Sequence, residues 1–330
     1  MATIKDVAAR AGVSYTTVSH VVNKTKRVSD HVRSEVESAI HELGYVPNTV
    51  ARSLKRRTTL TIGLLISNST NPFFAELARG IEDACYQRGY SVILCNSEDD
   101  PEREQAYLRV LLEKRVDGLI IGSTGENNTF AKQLQRLRLP LVIIDRPIAG
   151  VDSDLVQVDH EQGGYLATQH LLELGHRDVG CIAGPSTAVV SIDRVAGYRR
   201  ALAEAALPYR EALVIESDFT CEGGYQSAAH LLRRTQFSAV FAGNDLMGIG
   251  VLRWAKEQRF SVPEQLSLIG FDDIELCRYV YPALTTVGHS IRRQGELATT
   301  TLIQSIATGS THRKITLAPT VVIRESTARL

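Results

Sequence analysis

The sequence has no apolar run that approaches the ~18 residues needed to cross a bilayer as a helix. Its first residues, Met-Ala-Thr-Ile-Lys-Asp, also lack the apolar core of a secretory signal peptide. These two absences predict a protein that is not embedded in a membrane and that stays in the cytoplasm.

Cysteine is scarce, and the signatures of catalysis are missing. The five cysteines form no Cys-x-x-Cys pair, which argues against a zinc site or a disulfide framework and predicts free thiols in or near the core. They are Cys85, Cys95, Cys181, Cys221 and Cys277. There is no Gly-x-Ser-x-Gly, Gly-x-x-x-x-Gly-Lys or His-Glu-x-x-His, and no Gly-x-Gly-x-x-Gly after the first predicted body strand. We therefore expect no enzymatic activity, no cofactor and no bound metal.

Net charge is zero, but the charge is unevenly distributed. Residues 1–58 hold ten basic and five acidic residues, so the remainder of the chain carries the compensating acidic surplus. A basic head on a mildly acidic body predicts a polyanionic partner that contacts the head alone.

The first 46 residues have the pattern of three short helices. Thr3 is a predicted N-cap, and Asp6 completes an acidic variant of the capping box. Gly12 supplies the positive φ that ends this helix. Ser14 then caps a second helix over Tyr15–Val22.

A third helix, about Asp30–Leu43, is predicted to stop at Gly44 and to complete a helix-turn-helix unit. Such a unit places the start of its second helix on base edges in the major groove, with polar side chains around it on phosphates. The alternative is a packing module that touches no DNA. The predicted DNA contacts in this head are Thr3, Ser14, Tyr15, Thr16, Thr17, Ser19, His20, Asn23 and Lys24.

Residues 47–58 are predicted to be a conditional helix. Asn48 is a good N-cap after Pro47, and Val50 and Leu54 share one face. About two turns are too few to repay helix nucleation, so this segment needs a packing partner. A charged linker that is merely compatible with a helix is the alternative.

From Thr59 on, short apolar runs alternate with amphipathic stretches, which predicts two α/β lobes with parallel sheets. The predicted strands are Thr61–Ile66, Ser91–Cys95, Gly118–Ile121 and Leu141–Ile144, then Val179–Ala183, Ala212–Glu216, Ala239–Ala242 and Leu266–Ile269. The predicted helices are Phe73–Arg88, Pro101–Arg115, 161–174, 192–205, 222–233, 245–258 and Ser290–Ala307. Strands at Lys314–Leu317 and Val321–Ile323 are expected to complete both sheets. The lobes would then comprise about 59–160 with 290–319, and about 161–289 with 320–330.

Polar and aromatic residues follow the predicted strands, where open parallel sheets bind ligands. Asn, Asp and Arg offer paired donors and acceptors to vicinal hydroxyls, and phenylalanines offer flat faces to a sugar ring. Each residue alone has a structural explanation, as a helix cap, an ion pair or a core side chain. The set that predicts an effector site is Asn71, Phe73, Phe74, Asp145, Arg146, Arg194, Phe219, Asn244, Asp272 and His289.

The stretch Thr-Ile-Lys-Asp-Val-Ala-Ala-Arg-Ala-Gly-Val-Ser-Tyr-Thr-Thr-Val-Ser-His-Val-Val-Asn, with Gly-Tyr-Val-Pro-Asn and Ala-Arg-Ser-Leu-Lys after it, resembles the LacI/GalR family of bacterial repressors, and the resemblance covers the whole chain. It implies that two hinge helices pack together in the minor groove. Ala51, Leu54 and Lys55 would then contact DNA, with Leu54 as the wedge that kinks it.

The body resembles periplasmic sugar-binding proteins, and most of all ribose-binding proteins and ribose-operon repressors. The resemblance implies ribose contacts for the ten effector residues, except that His289 replaces a glutamine of the pattern. We therefore expect a homodimer on a palindromic operator, released when ribose or a related pentose acts as inducer. A purine co-repressor is the alternative within the family, and a carbohydrate-transport component is the alternative outside it.

Overall fold

The computed structural model describes residues 2–23, 25–46, 58–98, 100–122, 128–148, 150–234, 237–309 and 312–330. The chain divides into two compact units, Met1–Thr59 and Leu60–Leu330. Among the described residues, no helix combines the length and the apolar character that crossing a membrane requires.

The first unit contains helices α1 (Ile4–Arg10), α2 (Tyr15–Asn23) and α3 (Asp30–Leu43). These bounds confirm the helix-turn-helix prediction, with Gly12 and Gly44 both at positive φ. The three helices close over a small apolar core of Val7, Ala8, Val18, Val36 and Ala39.

The second unit contains two six-stranded sheets, each flanked by helices. The strands are β1 (Thr61–Ile66), β2 (Ser91–Asn96), β3 (Gly118–Gly122), β4 (Leu141–Ile144), β5 (Asp154–Val158), β6 (Val179–Ala183), β7 (Val214–Glu216), β8 (Ala239–Ala242), β9 (Ser267–Asp272), β10 (Thr285–Gly288), β11 (Lys314–Leu317) and β12 (Thr320–Val322). The helices are α4 (Pro72–Gln87), α5 (Pro101–Glu113), α6 (Asn128–Gln135), α7 (His160–Glu173), α8 (Val189–Glu204), α9 (Cys221–Arg234), α10 (Asp245–Glu257) and α11 (Ile291–Thr308).

The first sheet has the strand order β11-β5-β4-β3-β1-β2, and the second has β12-β10-β9-β8-β6-β7. All the recorded pairings are parallel except that of β10 with β12. The chain crosses between the sheets after β5, after β10 and after β11. The last two strands complete the two sheets, as predicted.

Local capping explains where the helices begin in the segments that follow the strands. Asn71 accepts a hydrogen bond from the backbone of Phe73, and Asp159 accepts one from Gln162. Proline at the first position of α4 and α5 suits a helix start, where no N–H partner is required. Each cap therefore fixes where a helix starts beside the carboxyl edge of its sheet.

Three of these strands and α-helices were not predicted: β5, α6 and β10. Periodicity did not reveal β5 and β10 because each buries polar groups that are satisfied only in the fold. Asp154 of β5 is fully buried and pairs with Arg313, while Thr286 of β10 donates to Asp245.

Some predicted limits and one predicted burial were wrong. The strand predicted at Ala212–Glu216 begins instead with a 3-10 turn at Glu211–Leu213, and β9 extends three residues past its predicted end, to Asp272. Cys221 is exposed, whereas the other four cysteines are buried. The sheet of the second lobe is parallel as predicted, apart from its edge strand β12, which is antiparallel.

Candidate DNA-binding and effector-binding sites

A complete capping box anchors α1. The Thr3 hydroxyl and backbone N–H both donate to Asp6 Oδ2 over 2.8 Å, and the Asp6 backbone N–H donates to Thr3 Oγ1 over 3.4 Å. The two hydrogen bonds that the Asp6 carboxylate accepts lower its pKa, and the one from the Thr3 backbone has the larger effect. The side chain of Thr3 is therefore engaged in its own helix cap.

The start of α2 presents two of the predicted base-contacting side chains to solvent. Tyr15 is 62% exposed, and Thr16 is exposed beside it. Thr17 instead bonds Ser14, whose Oγ accepts from the Thr17 backbone over 3.1 Å and lies 2.9 Å from its hydroxyl. Tyr15 and Thr16 are thus the side chains of this turn best placed to meet DNA.

Further along α2, the polar side chains make local hydrogen bonds. His20 Nδ1 lies 2.8 Å from Thr25 Oγ1, and Asn23 Nδ2 donates to the carbonyl oxygen of Ser19 over 2.8 Å. The other predicted DNA contacts, Lys24, Ala51, Leu54 and Lys55, lie outside the described residues, as does the hinge helix itself.

A cavity of about 530 Å³ lies in the second unit, between the carboxyl edges of its two sheets. Nine of the ten predicted effector residues line it: Asn71, Phe73, Phe74, Asp145, Arg146, Arg194, Phe219, Asn244 and Asp272. Its size is within the usual range for small-molecule sites.

Two phenylalanines in the first turn of α4 form an aromatic part of the cavity wall. Asn71 caps this helix, and its Oδ1 accepts from Phe73 N over 3.0 Å. The rings of Phe73 and Phe74 meet edge to face, with their centroids 5.1 Å apart. The cap thereby sets the position of both rings.

Asp145 lies directly after β4 and is held by neighbouring donors. Its Oδ1 accepts from Gln294 Nε2 over 2.7 Å and from the Val158 backbone over 3.2 Å. Burial by itself would raise the pKa of Asp145, but the neighbouring His160, followed by His289 and Gln294, holds it below its ordinary value. Asp145 is thus a carboxylate that can accept hydrogen bonds from a ligand.

On the opposite wall, Arg194 of α8 connects several groups. It donates to Asp272 Oδ1 over 3.1 Å and to the Gly243 carbonyl over 2.5 Å, and its guanidinium lies 3.7 Å from the centre of the Phe271 ring. Burial raises the pKa of Asp272, and the positive charge of Arg194 opposes that rise. The pair offers a fixed cation and a carboxyl group to the cavity.

Asn244 positions the third aromatic ring. Its Oδ1 caps α10 by accepting from Met247 N over 2.9 Å, and its Nδ2 donates to the Phe219 carbonyl over 3.0 Å. The Phe219 ring packs over Gly184, where a Cβ would come within 2.0 Å of it. A Cβ at position 184 would therefore displace this ring.

Three of the lining residues adopt backbone conformations that L-residues avoid. Asp145 has φ 66°, Phe219 has φ 63° and Asp272 has φ 115°. Such strain concentrates at binding sites because the surrounding structure must hold it in place. Among the described residues, the cavity wall holds three of the ten non-glycine residues with positive φ.

His289 is the exception among the predicted effector residues, because it is not among those lining the cavity. It lies behind the wall, where its Nε2 is 2.9 Å from Gln294 Oε1 and its ring centre is 6.3 Å from that of Phe73. Burial lowers its pKa. The sequence predicted it as an effector contact, but its side-chain direction depends on the fold.

Sequence reasoning missed His160, Phe271 and Gln294, which contact the lining residues from behind. Only their contacts in three dimensions identify them, since none belongs to a motif. In the described ranges, no group of three or more His, Cys, Asp or Glu side chains is arranged to hold a metal ion.

Comparison with known proteins identifies the family. Residues 3–48 match the family model "Bacterial regulatory proteins, lacI family", and residues 59–326 match "Periplasmic binding proteins and sugar binding domain of LacI family". The chain belongs to the LacI family, and it is a DNA-binding transcriptional repressor with a body of the family's sugar-binding type.

Individual relatives match over nearly the full chain. The HTH-type transcriptional repressor PurR of Aliivibrio salmonicida is 42% identical and covers 100% of both chains. The lac repressor dimer bound to operator and an anti-inducer has a TM-score of 0.89 at 30% identity, and the match covers 99% of each chain. A LacI-family regulator from Enterococcus faecium with bound ribose has a TM-score of 0.75 at 34% identity, covering 82% of this chain and 99% of that one.

Proposed function

We propose that a small sugar, ribose or a related pentose, binds in the cavity and acts as an inducer that lowers operator affinity. The observation that carries this proposal is the pairing of charged hydrogen-bonding groups with flat aromatic faces around one cavity. Asp145, Arg194 and Asp272 offer acceptors and donors to hydroxyls, while Phe74 and Phe219 offer apolar faces. The Enterococcus faecium relative crystallised with ribose supports the same choice.

The repressor acts in this proposal as a homodimer on a palindromic operator, with one helix-turn-helix unit on each half-site. The domains are residues 1–46 for the head, 47–58 for the hinge and 59–330 for the effector-binding body. A sugar that bridges the two lobes closes them and disturbs the packing of the hinge helices on DNA. A coupling of about 1–3 kcal/mol would relieve repression about 5- to 150-fold.

A purine base acting as co-repressor is the second candidate. It is favoured by the 42% identity to a repressor named PurR over the whole chain. The two candidates predict opposite signs, because an inducer lowers operator affinity and a co-repressor raises it.

Isothermal calorimetry with D-ribose, other pentoses, hexoses and purine bases tests both candidates directly. Operator affinity is then measured with and without each compound that binds. Binding of a pentose together with weaker operator affinity supports the proposal. Binding of a purine together with tighter operator affinity overturns it in favour of the second candidate.

A further inference from the structure

His160 lies where the chain crosses from the first sheet to the second lobe. It is the first residue of α7 and follows the helix cap Asp159, two residues after β5 ends at Val158. Its side chain is only 3% exposed. A buried imidazole at a crossover is in contact with both lobes.

The two ring nitrogens of His160 face opposite walls of the cavity. Nδ1 lies 3.4 Å from Nε and 3.3 Å from a terminal nitrogen of Arg194, while Nε2 lies 3.5 Å from Asp145 Oδ1. A guanidinium can only donate, so Nδ1 must accept. The ring proton therefore lies on Nε2, which is 3.5 Å from Asp145 Oδ1.

The Nε2 donor is buried and lacks a hydrogen-bond partner within the described residues. Its 3.5 Å separation from Asp145 Oδ1 exceeds that of a normal hydrogen bond. A buried donor without an acceptor is unfavourable, so a movement of a few tenths of an ångström that completed this bond would be stabilising.

These contacts form a continuous series across the site. Asp145 is followed by His160, 3.5 Å away, and then by Arg194, which donates to both His160 and Asp272. The two end members are carboxyl groups that line the cavity from different lobes. His160 is thus placed between the groups that a bridging ligand would draw together.

We propose that His160 is a positioning residue that couples effector binding to closure of the two lobes. An effector that contacts both Asp145 and Arg194 brings the walls together, and the Nε2–H of His160 then completes its hydrogen bond to Asp145 and holds the closed state. This inference rests on the proposed function, since it assumes a ligand in this cavity.

Two substitutions separate the roles of the two ring nitrogens. His160→Asn retains an acceptor near the position of Nδ1 but removes the Nε2 donor. His160→Gln retains a donor near the position of Nε2. The control is His176→Asn, because His176 is equally buried but bonds Ser238 and Ala328, away from the crossover.

The measurement is operator affinity with and without saturating D-ribose, together with D-ribose affinity by calorimetry. We expect His160→Asn to bind D-ribose, but D-ribose should change its operator affinity by less than about twofold. In His160→Gln and His176→Asn, D-ribose should lower operator affinity almost as much as in the wild type, for which a change of about 5- to 150-fold is typical. A wild-type response in His160→Asn overturns the inference.

A second measurement needs no ligand, so it separates this inference from the proposed function. In protein labelled with ¹⁵N-histidine, the nitrogen shifts of His160 are assigned by comparison with His160→Gln. Protonation at Nε2 alone at neutral pH supports the inference, and protonation at Nδ1 overturns it. If wild-type protein fails to bind D-ribose, the sugar proposal fails while this result still stands.

Discussion

Thr286 donates its hydroxyl to Asp245 Oδ1 over 2.5 Å, in a buried layer directly behind the cavity. The other carboxyl oxygen of Asp245 accepts from Ile274 N over 2.9 Å. Asp245 is fully buried, and the nearby charge of Asp272 adds to the effect of that burial, so the pKa of Asp245 is raised well above its ordinary value. At pH values between the ordinary and the raised pKa of Asp245, the native state therefore retains a proton that the unfolded chain releases.

This retained proton predicts the pH dependence of stability. Because the folded-state pKa of Asp245 is raised, the stability it contributes is fully present below its ordinary pKa of about 3.9 and is lost as the pH rises through the raised value. Asp245→Asn should make the unfolding free energy less dependent on pH above about pH 4. Urea unfolding of the wild type and the variant at several pH values checks this. If the unfolding free energy depends on pH equally in both proteins, the prediction is contradicted.

Arg194 should be essential to the effector response but not to operator binding. Arg194→Lys keeps the charge but cannot bond Asp272 and Gly243 together, and each lost charged hydrogen bond is worth about 1.5–3 kcal/mol. We expect effector affinity to fall roughly 10- to 100-fold. Calorimetry measures the effector affinity. Operator affinity measured without effector should be unchanged.

Arg200→Ala is the matched control on the same helix, since Arg200 bonds Glu161 and Gln162 away from the cavity. Loss of operator binding in Arg194→Lys would argue against separate effector and DNA sites. Equal loss of effector affinity in both variants would remove the special role of Arg194.

Helices α7 and α8 pack with their backbones close together at glycine positions. A Cβ at Gly164 would lie 2.0 Å from the carbonyl oxygen of Arg194, which is backbone and cannot move aside alone. Gly164→Ala should therefore destabilise the fold by about 1–3 kcal/mol and shift Arg194. Thermal or urea unfolding measures the decrease in the free energy of unfolding.

Gly122→Ala provides the comparison, because the nearest atoms to its Cβ would be at an ordinary 3.7 Å. Its stability should be unchanged or raised by about 0.4–1 kcal/mol. Equal destabilisation in both variants would show that close approach of α7 and α8 is not the cause.

Operator binding should weaken steeply with added salt. Residues 1–58 carry five more basic than acidic residues, and phosphate contacts release counterions when they form. A plot of log affinity against log salt concentration should have a strongly negative slope. A flat plot would count against DNA binding by the head.

Much of the fold could be predicted because its signals are local. Helices α1 to α3 are bounded by Thr3, Ser14, Gly12 and Gly44, whose capping and turn chemistry depends on a few neighbouring residues. The strands that are apolar throughout, such as β4 and β8, were likewise predicted with their observed limits. The strand-end rule then brought nine of the ten candidate effector residues to one cavity.

The remainder depended on contacts between residues far apart in the chain. Only the tertiary structure shows that His160 lies between Asp145 and Arg194, that Gln294 bonds Asp145, and that the ring of His289 lies behind the wall. By itself, the sequence determined where most helices and strands begin and end, because apolar periodicity and caps depend on short segments. The directions of buried polar side chains were decided by the fold, because each such group must find its partner on another element.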